Sequence, residues 1–160
     1  MHTQLARRFR PTAWAAIGLL SLNVSFAAEA PRDFQIVDGV AIYLGVVPAQ
    51  IIQGHPKEHE ERRMHGGVPA SRYRHHLMVA PFDAASGRRI EDAQVTAAVT
   101  ELGLASKRKT LEPMRIDDTV SYGNYFDIRS NGTYRIEVEI RRPGHAGPIK
   151  ATFNHRHFAP

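Results

Sequence analysis

The chain has no cysteine. Its core must therefore hold without disulfides, and thiolate metal centres and cysteine nucleophiles are excluded. No stretch approaches the ~20 consecutive apolar residues that a spanning helix needs. There is no G-x-S-x-G, no glycine-rich phosphate loop and no H-E-x-x-H, so enzymatic activity is not expected. A basic stripe with interleaved aromatics is also missing, and with it the usual footprint of a nucleic-acid partner. The single short basic run, Lys107-Arg108-Lys109, reads as a solvated turn. Internal repeats and low-complexity segments are absent.

The first residues read as an export signal. Arg7, Arg8 and Arg10 form a positive start, Ala15 to Phe26 a short apolar stretch, and Ser25-Phe26-Ala27 a cleavage site. Cleavage is expected after Ala27, with no lipid anchor because no cysteine follows, and a periplasmic location for the product. Removal of residues 1–27 leaves 133 residues, enough for one domain with a real core. It also changes the charge. Of 21 Lys+Arg, three lie in the signal and none of the 16 Asp+Glu do, leaving 18 against 16 and a net charge of +2.

After a linker over residues 28–38, a single domain is expected over 39–157. Gly39 to Val47, Arg74 to Asp83, Ala93 to Leu102, Lys109 to Ile116, Tyr122 to Ile128, Thr133 to Arg142 and Ile149 to His157 read as strands. In Thr133–Arg142 the residues Tyr134, Ile136, Val138 and Ile140 alternate with charged ones, as a strand with one buried face requires. Turn residues separate the strands: Asp83 to Gly87, Asp117-Asp118 and Ser130-Asn131-Gly132. Seven short strands and no long helix predict an all-β, seven-stranded antiparallel immunoglobulin-like β-sandwich. The predicted core includes Leu44, Leu77, Val79, Val95, Val99, Tyr134, Ile136 and Val138.

One segment breaks the pattern. Residues 53–72 are polar and glycine- and proline-punctuated, with one helical turn expected within 57–63. A loop this long in a small domain is uncommon unless it is functional or mobile. Histidines concentrate in it and at the start of the next strand: His55, His59, His65, His75 and His76 fall within 22 residues, with Met64 beside His65 and Met78 after His76. Imidazole and thioether are the donors expected for copper where thiolates would be oxidised. His55 and His59 stand at i, i+4, although a solvated charged loop explains them equally well. Met64-His65-Gly66-Gly67 is a compact unit whose glycines let the backbone fold close to a ligand. His75 and His76 are adjacent in a strand and must point to opposite faces. If Leu77 and Val79 face the core, His75 shares that face, and His76 and Met78 share the other. Met114 is either a thioether ligand or a packing residue. His155 and His157, at i, i+2, share one face of the last strand.

The runs His75-His76-Leu77-Met78-Val79, Asp83 to Gly87, Ile90 to Val95, Leu111-Glu112-Pro113-Met114, Tyr122-Gly123 and Gly132-Thr133-Tyr134-Arg135-Ile136 carry a further signal. Over roughly residues 73–142 the chain resembles small exported β-sandwich proteins: the YtkA-like proteins and the periplasmic iron- and copper-binding proteins. The resemblance implies transition-metal handling. It places the Pro-Met of the pattern on Met114 and the Tyr-Gly pair on Tyr122 and Gly123. This chain carries Ser121 where the iron and copper binders have a histidine. Tyr134 resembles the tyrosine that pins a corner in such sandwiches.

The expected ligand set is therefore His65, His75, Met64 and Met114, with His76, His55 and His59 as further candidates. Loop 55–67 is expected to fold onto the start of the strand holding His75 and His76. The expected metal is copper first and iron second, buffered or delivered to a membrane transporter or envelope protein. The alternative is an accessory interaction module of the envelope that binds no metal.

Overall fold

The computed structural model describes residues 33–158, apart from 57, 102, 103, 105, 106, 117 and 130. The signal segment, Asp117 and Ser130 of the sequence reading lie outside the described residues. Eight strands form: β1 Phe34–Val37, β2 Val40–Pro48, β3 Arg74–Asp83, β4 Gln94–Glu101, β5 Lys109–Ile116, β6 Thr119–Asp127, β7 Gly132–Arg141 and β8 Ile149–His157. All pairings are antiparallel, in the order β1-β2-β3-β6-β5-β4-β7-β8.

The sheet folds over on itself at β5. Its first residues pair with β4 (Leu111 opposite Val95) and its later ones with β6 (Met114 opposite Ser121). The two ends of the sheet nearly meet, where the Gln35 side-chain amide donates to the Thr152 carbonyl at 2.7 Å. The result is the expected all-β sandwich with one strand more than the seven predicted. The extra strand is β1, which lies in what the sequence presents as a linker. A hairpin joins it to β2 through Asp38-Gly39, both with positive φ (47° and 74°). That two-residue Asp-Gly turn matches the right-handed twist of the flanking strands.

Alternation explains the core. Leu44, Leu77 and Val79 from one layer meet Val95, Ile136, Val138 and Phe153 from the other, all buried in one cluster. Val99 packs against this cluster from a partly buried position. Tyr134 is buried, and its hydroxyl reaches Glu101 Oε2 at 3.5 Å. Tyr122 also ties backbone together. Its hydroxyl accepts from the Ala93 N–H (2.9 Å) and donates to the Ile90 carbonyl (3.4 Å). Burial pushes that phenol's pKa up.

The segment between β2 and β3 is not irregular throughout. It holds α1 (Ala49–Gln53), α2 (Glu60–Arg63) and a 3-10 turn at Met64–Gly66. Ala49 and Ile52, three apart and so on one helical face, pack with Tyr125, Val47 and Val68 in a second small cluster. The segment thereby roofs the outer face of β2, β3 and β6.

Ile136 is fully buried in the centre of β7. Ile136→Ala should cost ~2–5 kcal/mol through lost burial and the cavity left behind. Chemical denaturation checks this, and an unmoved midpoint would place the strand in the wrong register.

Candidate metal centre

The two sides of β3 separate the adjacent histidines. His75, Leu77 and Val79 face the sandwich interior, while His76 and Met78 face outward. His76 is nonetheless fully buried, because the α1–α2 segment covers that outer face. In the cross-strand register, His76 sits between Val47 on β2 and Tyr125 on β6. One row along, Met78 lies opposite Gly123, and Gly123 opposite Glu112 on β5. Met114, two residues from Glu112, shares its face.

β3 and β5 are not neighbours; β6 lies between them. Two strand spacings of ~4.8 Å separate their backbones, so side chains on them meet only by leaning over β6. Gly123 is the point where they do so. A Cβ built there would stand 2.7 Å from His76 Nε2, 2.7 Å from Met114 Cε and 2.8 Å from Met114 Sδ. The space that a side chain would occupy holds an imidazole nitrogen and a thioether sulfur.

The roofing segment brings the third donor. His65 has φ 54° and ψ 28°, a left-handed conformation uncommon outside glycine, and Gly66 and Gly67 follow with φ of 76° and 100°. Three successive positive-φ residues turn the chain so that the His65 side chain points down onto the sheet, only 4% exposed. Strained backbone of this kind concentrates at ligand sites. His65 Nδ1 lies 2.8 Å from Glu112 Oε2, and Nε2 lies 3.2 Å from Met114 Sδ. With Nδ1–H donated to the carboxylate, Nε2 carries the ring's lone pair toward the sulfur. A carboxylate holding the far nitrogen of an imidazole is the arrangement that orients metal-binding histidines and raises their basicity. The His65 and His76 ring centroids are 5.2 Å apart, and Tyr125 flanks both, at 5.9 Å and 4.8 Å.

Both nitrogens of His76 are buried without a hydrogen-bond partner. Burial, and secondarily the proximity of His65, lowers its pKa to about 4. His76 is therefore a neutral imidazole well into the acid range. A buried polar group without a partner is costly, and an electron-pair acceptor at its Nε2 would remove that cost. The donors that converge here are two imidazole nitrogens and a thioether sulfur, a set suited to copper. Among the described residues no three His, Asp or Glu side chains gather as ligands; the third donor is sulfur.

Of the ligands expected from sequence, His65, His76 and Met114 come together. His75 does not. It lies across the sheet with its ring 4.8 Å from that of His157, because adjacent strand residues face opposite ways. His55 and His59 pair with each other, ring centroids 4.7 Å apart, on the far part of the roof. Met64 lines an open cleft with Arg63, Pro113 and Arg115 beside Met114. It is not among the atoms nearest the Gly123 point. Glu112, Gly123 and Tyr125 complete the site; the sequence presents Gly123 only as half of a Tyr-Gly pair and gives Glu112 and Tyr125 no ligating or supporting role. The parity of β5, which puts Glu112 and Met114 on one face, was the available signal.

Gly123→Ala should force His76 or Met114 aside, an overpacking cost of ~1–3 kcal/mol that thermal unfolding of the metal-free protein would show. An unchanged midpoint would mean that the contacts over Gly123 are loose. For His76 the unfolded state binds the extra proton between pH ~6.5 and ~4, so stability is full above that window and is lost as pH falls through it. The loss is on the order of 3 kcal/mol. His76→Gln should flatten this part of the stability–pH profile; a profile parallel to wild type would contradict the assigned burial.

No family model matches the chain, and neither does any curated protein. Solved structures do. A DUF4426 family protein from Pseudomonas aeruginosa is 18% identical, with a TM-score of 0.60 covering 79% of this chain and 94% of its own. A copper-bound glutamate-to-glutamine variant of FetP from uropathogenic Escherichia coli is 16% identical (TM-score 0.58; 78% and 93%). A copper-bound glutamate-to-glutamine variant of Campylobacter jejuni P19 is 19% identical (TM-score 0.57; 78% and 94%). This chain shares their fold.

Proposed function

We propose that the protein binds copper in the periplasm through His65 Nε2, His76 Nε2 and Met114 Sδ, with Glu112 orienting His65. The observation that carries this reading is the convergence of His76 Nε2 and Met114 Sδ on the space above Gly123, one of them a buried nitrogen with no other partner. FetP and P19, which share the fold, have structures with copper bound. A thioether favours copper over iron, which prefers harder donors. The role is to hold the ion and hand it on, with a membrane transporter or envelope protein as recipient. Export by the residue 1–27 signal places the domain where such an exchange takes place.

The roof is the natural gate for loading. His65 comes from a short turn over the sheet, whereas His76 and Met114 are fixed on strands. Ordering a mobile segment costs ~1–2 kcal/mol per residue, so the two strand donors provide the anchor and His65 closes over the bound ion.

Copper titration monitored by non-denaturing mass spectrometry tests the assignment. Wild type should take up one copper at this site. His76→Gln and Met114→Leu should each weaken it by at least tenfold, about 1.4 kcal/mol, while His55→Ala/His59→Ala should leave it unchanged. Equal affinity in wild type, His76→Gln and Met114→Leu would rule the site out.

A further inference from the structure

At the open end of the sandwich, on the opposite side of β3, lies a second cleft of about 900 Å³ that the copper site does not use. Ligand pockets for small molecules fall in this size range. The start of β3, the residues after β6 and the end of β8 enclose it. Arg72, Arg129 and Arg156 line it together with His75, His155 and His157, and Ile128 and Phe158 supply apolar wall. Among the described residues no carboxylate lines it. Asp33 belongs to a neighbouring cleft that shares His155, Arg156 and Phe158. Among the described residues none of the three guanidiniums forms an ion pair; Arg72 donates instead to the Tyr73 hydroxyl at 2.6 Å.

Arg72 and Arg129, both stacked on the Tyr73 ring (4.8 and 5.9 Å) and without a carboxylate partner among the described residues, make the cleft repel a metal ion and attract an anion. Each presents a planar fork of donors that matches a carboxylate. His75 supplies a different contact. It is 4% exposed, and its Nδ1 lies 3.2 Å from the Tyr73 carbonyl, which can only accept. Nδ1 therefore carries the hydrogen, and Nε2 of the neutral ring is an acceptor within the cleft wall. The polar groups thus ask for negative charge at the arginines and a hydroxyl donor at His75. We propose that this cleft binds a small hydroxy-polycarboxylate, its carboxylates on Arg72 and Arg129 and its hydroxyl donated to His75 Nε2.

Citrate and tricarballylate, which differ by that hydroxyl, are the probes. Calorimetry on the metal-free protein should show saturable citrate binding that is tighter than tricarballylate binding. Arg72→Ser/Arg129→Ser, both at exposed positions, should weaken citrate at least about tenfold. His75→Phe should abolish the preference for citrate over tricarballylate, with circular dichroism confirming the fold. Met114→Leu should bind citrate as wild type does, which separates this cleft from the copper site. No citrate binding up to roughly 10 mM would overturn the proposal, as would equal citrate affinity in wild type and the double arginine variant. Zinc uptake that depends on His155 and His157 without citrate binding would overturn it too.

Discussion

The close approach of two side chains over Gly123 governs the arrangement of the candidate site. His76 and Met114 belong to strands that β6 keeps apart, and only a residue without a side chain lets them share one space. Everything else serves that contact. The register of β3 against β6 and of β6 against β5 brings the right rows into line. The roof from Ala49 to Tyr73 keeps water off His76. The left-handed turn at His65 adds a second imidazole from above, and Glu112 fixes which of its nitrogens faces the sulfur.

Burial and ligand chemistry are linked here. A surface histidine would satisfy both nitrogens with water and titrate near its reference value. His76 is fully buried and has no protein hydrogen-bond partner, so it stays neutral and its lone pair stays available. The cost of that arrangement falls on the metal-free fold, and the sandwich core of Leu77, Val79, Ile136 and Phe153 offsets it from the other face of the same sheet. One strand thus carries both the packing that stabilises the domain and the donor that gives it chemistry. The same alternation sends His75 to the opposite side, into a cleft whose arginines suit an anion.

Strands were legible where one face is buried and the other solvated. The boundaries of β3, β5 and β8 follow from their apolar phase alone. β1 escaped because Phe34–Val37 is short and lacks alternation, although Asp38-Gly39 announces a hairpin. The candidate site was legible in its residue types but not in its membership. The sequence shows that His75 and His76 must diverge, and it cannot show which face the polar segment will cover, because that depends on Ala49 and Ile52 docking against the distant Tyr125. Gly123 could be read as part of a Tyr-Gly pair, but its meaning is a vacancy between two other strands. Glu112 was invisible for a similar reason: its partner, His65, is 47 residues away.

X-ray absorption at the copper edge of the copper-loaded protein tests the account most directly. The spectrum should require one sulfur scatterer beside imidazole nitrogens, and that sulfur should vanish in Met114→Leu while the imidazole signal persists. A wild-type shell of nitrogen and oxygen only, or a sulfur that survives Met114→Leu, would contradict it.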